Sequence, residues 1–146
     1  MKRIITANDE HDRSYVLIEE EVGGNGAIWE TRPGQPFGAK PEPGAHDLDF
    51  AEGQTIARMI EIPPDAVMAE VLRRGVPGLD ENGFHRTGTL DFVVLLEGSL
   101  TLELDEGEVR LSPGDVVVQR DTNHAWRAGD APARMLCIVQ KPGARS

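Results

Sequence analysis

Residues 99–115 read SLTLELDEGEVRLSPGD, and their pattern is that of two short β-strands joined by a turn. The leucines of the LTLEL segment alternate with polar residues, so they share one face of a strand. The following DEG segment turns the chain, and Val109 and Leu111 return along a second strand. A Ser-Pro-Gly break beginning at Ser112 ends that strand. This stretch therefore predicts a β-hairpin with a second turn behind it.

The same alternation of short apolar runs and turns extends along the whole chain. The 16 glycines and 10 prolines fall at short intervals between apolar runs, as in proteins built from many short strands. Segments rich in β-branched or aromatic residues, or alternating with a period of two, are predicted as strands at Lys2–Ala7, Ser14–Glu20, Gly26–Thr31, Gln54–Ile62, Leu90–Leu96, Ser99–Leu104, Glu108–Leu111, Asp115–Gln119, Asn123–Ala128 and Arg134–Gln140.

One segment, Asp65–Gly75, has a helical pattern instead. It begins with an N-cap type residue, continues with good helix formers, has two arginines in its last turn and ends at a glycine. The region Arg32–Gly53 is dominated by Pro, Gly, Ala and charged residues without periodicity. It is predicted to be a loop, either wrapped around the outside or lying as a lid over an opening.

Length and charge limit the classes of function. The 146 residues are about the size of one domain, so residues 1–146 are predicted to form a single unit. A net charge of −10 would repel nucleic acid and anionic membranes, and neither is an expected partner. Cys137 is the only cysteine, which excludes an intramolecular disulfide and a cysteine-based zinc cluster. No signal-like or membrane-spanning run is visible, so a cytoplasmic location is expected.

Several side chains stand out as candidates for chemistry because of their place in the strand pattern. Asp91 shares a predicted strand face with apolar residues, where an unpaired carboxylate would be costly. Arg58 lies in the same way among isoleucines, and a buried guanidinium needs a carboxylate, either from a substrate or from the chain itself. His85 and His124 lie beside strands, whereas His11 and His46 fall in irregular polar stretches where solvated or loop-anchoring histidines are common.

Residues 83–98 and 112–128 resemble the two sequence motifs of the cupin superfamily. The family's first motif carries a His-x-His pair, a glutamate and a closing glycine. The interval from Asp91 to Gly98 matches, which makes His85 the first histidine, puts Thr87 in place of the second, and puts Asp91 in place of the glutamate. The whole string from Phe84 to Ala128 is similar to a subgroup of small bacterial and fungal single-domain cupins.

The second motif is matched by a Pro-Gly-Asp turn that ends at Asp115 and by a histidine, His124. This motif departs from the family pattern: it is one residue short between those two positions, Arg120 replaces a proline, and Ala128 stands where an asparagine often follows. The resemblance implies an all-β double-stranded β-helix, or jelly-roll barrel, with a core over 54–140 and N-terminal strands and a wrapping loop over 1–53. Barrel closure leaves the first two strands to pair with a sheet edge or with a second subunit, and a homodimer is expected.

If His85, Asp91 and His124 converge, they supply two imidazoles and a carboxylate, a set that suits a divalent transition metal. Fe(II) is the first expectation, and Zn, Mn or Ni also suit such ligands. In the alternative reading, the two histidines hydrogen-bond to Asp91 and backbone in a metal-free barrel. The residues expected to shape a substrate pocket are Arg58, Gln119 and Trp126.

Two classes of function follow from the resemblance. The first is a metal-dependent enzyme acting on a small organic molecule, carboxylic or aromatic, by dioxygenase, decarboxylase, dehydratase or isomerase chemistry. The second is a small-ligand-binding or sensing protein without turnover, for which the loss of a histidine at Thr87 is the best sequence support.

Overall fold

Short strands separated by glycine and proline turns make up most of the computed structural model, which describes residues 1–23, 25–41 and 48–143. The strands are β1 (Lys2–Asn8), β2 (Ser14–Glu21), β3 (Gly26–Thr31), β4 (Thr55–Ile62), β5 (Leu90–Glu97), β6 (Leu100–Leu104), β7 (Glu108–Leu111), β8 (Val116–Arg120), β9 (His124–Arg127) and β10 (Ala133–Gln140), and the helix is α1 (Asp65–Arg73). The ten predicted strands are confirmed, each to within one residue at either end. No helix in the described ranges is long and apolar enough to cross a membrane.

Two antiparallel sheets enclose one core. The first has the strand order β3-β4-β10-β5-β8, and the second has the order β7-β6-β9. A single cluster of buried apolar side chains joins Val93, Leu95 and Met135 of the first sheet to Leu100 and Trp126 of the second. The described residues therefore form the all-β barrel with one short helix that the sequence predicts.

The hairpin predicted from residues 99–115 pairs in the register expected from its alternation. Leu100 pairs with Leu111 and Leu102 with Val109 across β6 and β7. The glycine that precedes this hairpin, Gly98, adopts a φ of 87°. A Cβ built there would lie 2.8 Å from the backbone carbonyl oxygen of Pro132, which precedes β10. Only glycine fits at the end of β5, which explains why the first motif closes with this residue type.

The first two strands differ from expectation. They pair with each other, from Lys2 with Glu21 to Asn8 with Ser14, in a separate two-stranded sheet rather than with an edge of the barrel. Buried Arg3 links this hairpin to the barrel by donating from Nη1 to a backbone carbonyl of β3 at 2.9 Å. Hairpin pairing satisfies the backbone groups on the facing edge of each strand, and the other edge of each strand is not paired with the barrel.

Helix α1 ends at Arg73, with Arg74 as its C-cap and Gly75 just past it, within one residue of the prediction. Its start corrects the capping prediction. Pro64 is the N-cap and makes no side-chain cap, while Asp65 is the first helical residue. The Asp65 carboxylate accepts a hydrogen bond from the backbone N–H of Ala128 at 3.0 Å. Asp65 therefore anchors the helix to the end of β9 instead of capping it.

The described parts of the region Arg32–Gly53, residues 32–41 and 48–53, are irregular, as predicted, apart from a bridge between Ala39 and Glu30 of β3. Its last part approaches the barrel interior, because Phe50 is buried and Leu48 is partly buried. Residues 42–47, which include His46, lie outside the described residues.

Candidate functional site

A cavity of about 420 Å³ lies between the two sheets. Most of its wall is apolar and comes from β4, β5, β9, β10 and the segments that precede β4 and follow α1. The polar and ionisable side chains that line it are Asn25, Arg58, His85, Thr87, Asp91, His124 and Cys137. A concave apolar site with a few polar groups of this kind is the usual form of a small-molecule site.

His85 and His124 are brought together by their backbones. They form an isolated antiparallel bridge, in which each N–H donates to the other carbonyl at 3.0 and 3.1 Å. Their ring centroids lie 4.2 Å apart at an interplanar angle of 55°. Two histidines far apart in the sequence are therefore held side by side at the cavity wall.

The backbone also fixes the tautomer of each ring. Nδ1 of His85 lies 3.1 Å from the carbonyl oxygen of Gly83, and Nδ1 of His124 lies 2.8 Å from that of Thr122. Since a carbonyl oxygen only accepts, each Nδ1 carries the proton and each Nε2 keeps its lone pair. No hydrogen bond from the described part of the chain reaches either Nε2.

The turn before His124 is tied to the first motif. Asp121, at a φ of 53°, follows β8, and its carboxylate accepts from the Arg86 guanidinium at 2.7 and 2.9 Å and from the Gly88 N–H at 2.9 Å. These bonds hold the pKa of Asp121 below its usual value, with the Arg86 hydrogen bond the largest cause. The second motif is one residue shorter here than the family pattern. The bonds of Asp121 to Arg86 and Gly88, which we term the aspartate clamp, hold the turn before His124 next to the segment that carries His85.

Burial keeps His124 neutral. Its side chain is 4% exposed, and desolvation lowers its pKa to about 4, with a smaller contribution from neighbouring His85 in the same direction. The hydrogen bond to the Thr122 carbonyl opposes this shift. At neutral pH the ring therefore offers a lone pair at Nε2, the form that binds a metal ion or accepts a proton.

Asp91 lies on the inner face of β5 and is 8% exposed. Burial raises its pKa, although a hydrogen bond from Thr89 and the neighbouring His85 and Arg58 work against the shift. Its Oδ1 is buried and has no hydrogen-bond partner among the described residues. A buried carboxylate oxygen in this state is costly for folding alone, which indicates a role beyond packing.

Arg58 faces the cavity from β4 and is 5% exposed. Its guanidinium carbon lies 5.0 Å from the centre of the Phe50 ring, which is a cation–π contact. Arg58 pairs across the sheet with Cys137 of β10. Burial is the main cause that raises the pKa of the Cys137 thiol to about 12. Asp91 acts in the same direction, and Arg58 acts against it. The thiol is protonated at neutral pH, in agreement with the prediction of an inert buried cysteine.

Trp126 and Gln119 differ in position. Trp126 lines the cavity and meets the His124 ring edge-on, with centroids 5.6 Å apart. Gln119 pairs with Asp91 across the sheet and is 3% exposed, but it does not line the cavity, and its Oε1 accepts from Thr122 at 2.5 Å. Five of the six predicted site residues therefore share one cavity, and the sixth lies beside it.

Part of the cavity wall was not predicted. Val76, Pro77 and Leu79, which follow α1, line it together with Leu48 and Phe50 from the irregular region before β4. These residues lie in stretches without periodicity, so no pattern assigns them a face. The only signal was the presence of large apolar residues in otherwise polar, glycine-rich and proline-rich segments.

The donors at the cavity suit a divalent transition metal in their chemistry. Both imidazoles have Nδ1–H fixed on a carbonyl and Nε2 open, which is the arrangement of metal-binding histidines, and Asp91 adds a buried oxygen without a described partner. Within residues 1–23, 25–41 and 48–143, no three His, Cys, Asp or Glu side chains form a group that could hold one ion. Of the three predicted metal ligands, His85 and His124 therefore lie together as a pair, and Asp91 lines the same cavity without joining them in one group.

Comparison with known proteins agrees with this architecture. The family model described as "Cupin domain" matches residues 75–139. Oryzines biosynthesis cluster protein J of Aspergillus oryzae is 44% identical over 95 residues, which are 62% of this chain and 51% of that protein. The cupin-domain-containing oxidoreductase fogC of Aspergillus ruber is 36% identical over 108 residues, 70% of this chain and 44% of that protein. This chain thus spans about half the length of these relatives.

Among solved structures, a cupin-2 domain protein from Shewanella frigidimarina covers 60% of this chain and 71% of its own at a TM-score of 0.44 and 13% identity. The barrel, the two motifs and the family match identify residues 75–139 as a cupin domain.

Proposed function

We propose that this chain is an oxidoreductase-type cupin that binds a divalent transition metal ion and acts on a small, largely apolar organic molecule. The observation that carries the proposal is the pair of imidazoles, His85 and His124, held side by side with each Nδ1 on a carbonyl oxygen and both Nε2 atoms open at the wall of an apolar cavity. The redox assignment is supported by the name of the fogC relative, a cupin-domain-containing oxidoreductase.

In this proposal, His85 and His124 hold the metal and Asp91 is the third protein ligand. Fe(II) remains the first expectation, with Zn, Mn and Ni as alternatives. The bound ion would supply Lewis acidity and, for iron, electron transfer. The chain contributes the fixed tautomers at the two rings, since the carbonyl oxygens of Gly83 and Thr122 hold the Nδ1 protons.

The cavity wall selects the substrate. Its apolar residues exclude water and favour a hydrophobic or aromatic molecule, and Trp126 presents a ring against which a planar substrate can stack. Arg58 provides a buried positive charge on the β4 side, where an acidic group of the substrate would be stabilised. Gln119, which lies behind Asp91 rather than in the cavity, is proposed to act on the substrate site through Asp91.

Metal content tests the histidine pair directly. Protein purified without chelator or nickel resin, and then reconstituted with Fe(II), Zn, Mn or Ni, is expected to hold about one equivalent of at least one of these metals. The His85→Ala and His124→Ala variants should lose it, whereas His11→Ala, which removes a well-exposed histidine in the β1–β2 turn, should not. A folded wild-type protein that takes up none of the four metals would contradict the metal assignment.

A ligand-binding protein without turnover is the second candidate. It is favoured by Thr87 at the position of a motif histidine, whose hydroxyl pairs with that of Thr89 at 2.5 Å instead of offering a nitrogen ligand. Screening small aromatic and carboxylic compounds both for thermal shift and for consumption separates the candidates. Consumption of a compound by the metal-loaded protein, lost in His124→Ala, supports the enzyme; a thermal shift without consumption supports the binding protein.

A further inference from the structure

A second, smaller pocket of about 320 Å³ lies against the cavity on the side of β3 and β4. Its described lining is mostly polar and includes Glu30, Arg32, Asp49 and Gln54, whereas the wall of the cavity is mostly apolar. We term this smaller space the side pocket. The two spaces therefore differ in the chemical groups that they can accept.

Phe50 stands between the cavity and the side pocket. Among the described residues, only Phe50 and Arg58 line both spaces. Both side chains are buried, and the Arg58 guanidinium carbon lies 5.0 Å from the centre of the Phe50 ring. Packed against each other in this way, the two side chains form a partition that separates an apolar space from a polar one.

The segment that carries Phe50 is fixed to the first sheet although it is not a strand. The buried side chain of Gln54 accepts a hydrogen bond from the Ala51 N–H at 3.0 Å and donates one to the Glu30 carboxylate at 3.0 Å. The Gln54 N–H also donates to the Ala51 carbonyl oxygen at 3.0 Å, which closes a turn. The residue after Phe50 is thus tied to β3 through a buried amide, so the backbone that bears the ring is held in place.

We propose that Phe50 is a specificity-determining residue, whose ring ends the cavity at the side pocket and limits the length of the substrate there. The proposal rests on the proposed function, in which a small apolar molecule occupies the cavity and an acidic group of that molecule binds at Arg58. Because Arg58 and Phe50 form one partition, an acidic group at Arg58 lies at the boundary of the side pocket. A longer acid would have to pass the Phe50 ring to keep its apolar body in the cavity.

The lining of the side pocket determines which longer molecules would enter it through an open partition. An apolar tail among Glu30, Arg32 and Gln54 would take polar groups out of water without giving them new hydrogen bonds, whereas a carboxylate could pair with the terminal nitrogens of Arg32. The substrate class expected for the wild type is therefore a short aryl or alkyl carboxylic acid. Opening the partition should favour longer acids with the same charged end.

Calorimetric titration with ω-phenylalkanoic acids of increasing length tests this limit. The affinity of the wild type should rise with each added methylene, reach a maximum and then fall, since apolar area is buried only until the chain meets Phe50. In Phe50→Ala the maximum should move to acids longer by at least about two methylenes, and in the milder truncation Phe50→Leu by about one, because each removes part of the partition. A maximum that stays in place in both variants would overturn the proposal.

Leu79→Ala is the matched control for the titration, because Leu79 lines the cavity but is not among the described residues of the side pocket. This variant should change the affinity for all of the acids together and leave the length of the tightest one unchanged. A shift as large as that of Phe50→Ala would show that any enlargement of the cavity relaxes the limit, and it would reject the role assigned to Phe50.

The only cysteine offers a measurement that needs neither a ligand nor a metal ion. Cys137 lines the cavity and pairs with Arg58 across the sheet. An anionic, sulfonated methanethiosulfonate should label it at least about tenfold faster in Phe50→Ala than in the wild type, because an open partition admits the reagent from the side pocket. Leu95→Ala truncates a buried residue outside the described cavity wall and should stay close to the wild-type rate. Equal acceleration in Leu95→Ala would assign the labelling to unfolding and reject the partition.

The two measurements also separate this inference from the proposed function. If the wild type binds none of the acids while Phe50→Ala still accelerates labelling, Phe50 is supported as the partition, and the acidic substrate of the proposed function is wrong. If the wild type binds the short acids but neither the preferred length nor the labelling rate responds to Phe50→Ala and Phe50→Leu, the proposed function stands and the role of Phe50 is refuted.

Discussion

The inner and outer faces of the five-stranded sheet differ in the residues that break the usual separation of apolar interior and polar surface. The inner face buries Arg58, Asp91 and Gln119 among apolar side chains, while the outer face exposes Phe92 and Val118. Burying polar groups costs free energy of folding, and exposing large apolar groups in rows invites association. The two kinds of exception therefore separate the two faces of one sheet: polar side chains of the inner face lie at or beside the cavity, and the outer face exposes apolar side chains.

Leu95 and Leu96, which are neighbours on opposite faces of β5, give the largest expected difference in the free energy of unfolding. Leu95 is fully buried and Leu96 is 43% exposed. Leu95→Ala should lower the free energy of unfolding by about 3 kcal/mol, because it removes buried methyl groups and leaves a cavity, whereas Leu96→Ala should cost less than about 0.5 kcal/mol. Urea unfolding of the two variants, each compared with the wild type, measures both losses. Equal losses would show that the outer face is covered within a single chain.

The acid sensitivity of the metal-free protein depends on the inner face. His124 has a pKa of about 4 in the folded state against 6.5 for an ordinary histidine, so between these values the unfolded chain binds more protons. Stability contributed by neutral His124 is complete above pH 6.5 and is lost as the pH falls towards 4, by up to about 3 kcal/mol. Urea unfolding with a chelator present, at pH 7 and at pH 4.5, measures this loss.

The matched variants separate His124 from other titrating groups. His124→Gln should flatten the pH dependence, and His11→Ala should leave it unchanged, since His11 is exposed in a turn. The raised pKa of Asp91 acts in the opposite direction, favouring the folded state at low pH, so Asp91→Asn should steepen the loss. An Asp91→Asn protein that is equally stable at both pH values would contradict the burial of a neutral His124.

The alternation along single strands was enough to predict the strands, whereas the barrel was predicted from the resemblance of residues 83–98 and 112–128 to the cupin motifs. Alternation also placed Asp91 and Arg58 on apolar strand faces, and both side chains are buried. It did not predict the aspartate clamp at Asp121 or the partners of the N-terminal strands, because both depend on contacts between residues distant in sequence. The same limit applies to Gln119: its strand face was readable from alternation, but the position of the cavity along that face is set by the opposing sheet and by loops without periodicity.

Replacing Thr87 by the histidine of the family's first motif tests whether the inner face binds a metal ion. Thr87 lines the cavity near His85, and Thr87→His would add a third nitrogen. If the proposed ligands are correct, metal affinity should rise about tenfold, or ~1.4 kcal/mol, in a competition titration against a chelator. Thr87→Val, which removes the hydroxyl and adds no ligand, is the control. An unchanged affinity in Thr87→His would place the metal away from this motif.

A small change in stability is expected at Gln119, whose side-chain amide nitrogen is buried without a partner in the described part of the chain. Gln119→Met loses the hydrogen bond from Thr122 but removes that unsatisfied amide, so the two effects offset and the free energy of unfolding should change by less than about 1 kcal/mol. If Gln119 acts through Asp91, the variant should bind metal more weakly despite its intact stability, whereas Thr122→Val, which removes only the donor, should keep most of the affinity. Unchanged metal affinity in Gln119→Met would mean that Gln119 only packs beside Asp91 and does not contribute to metal binding.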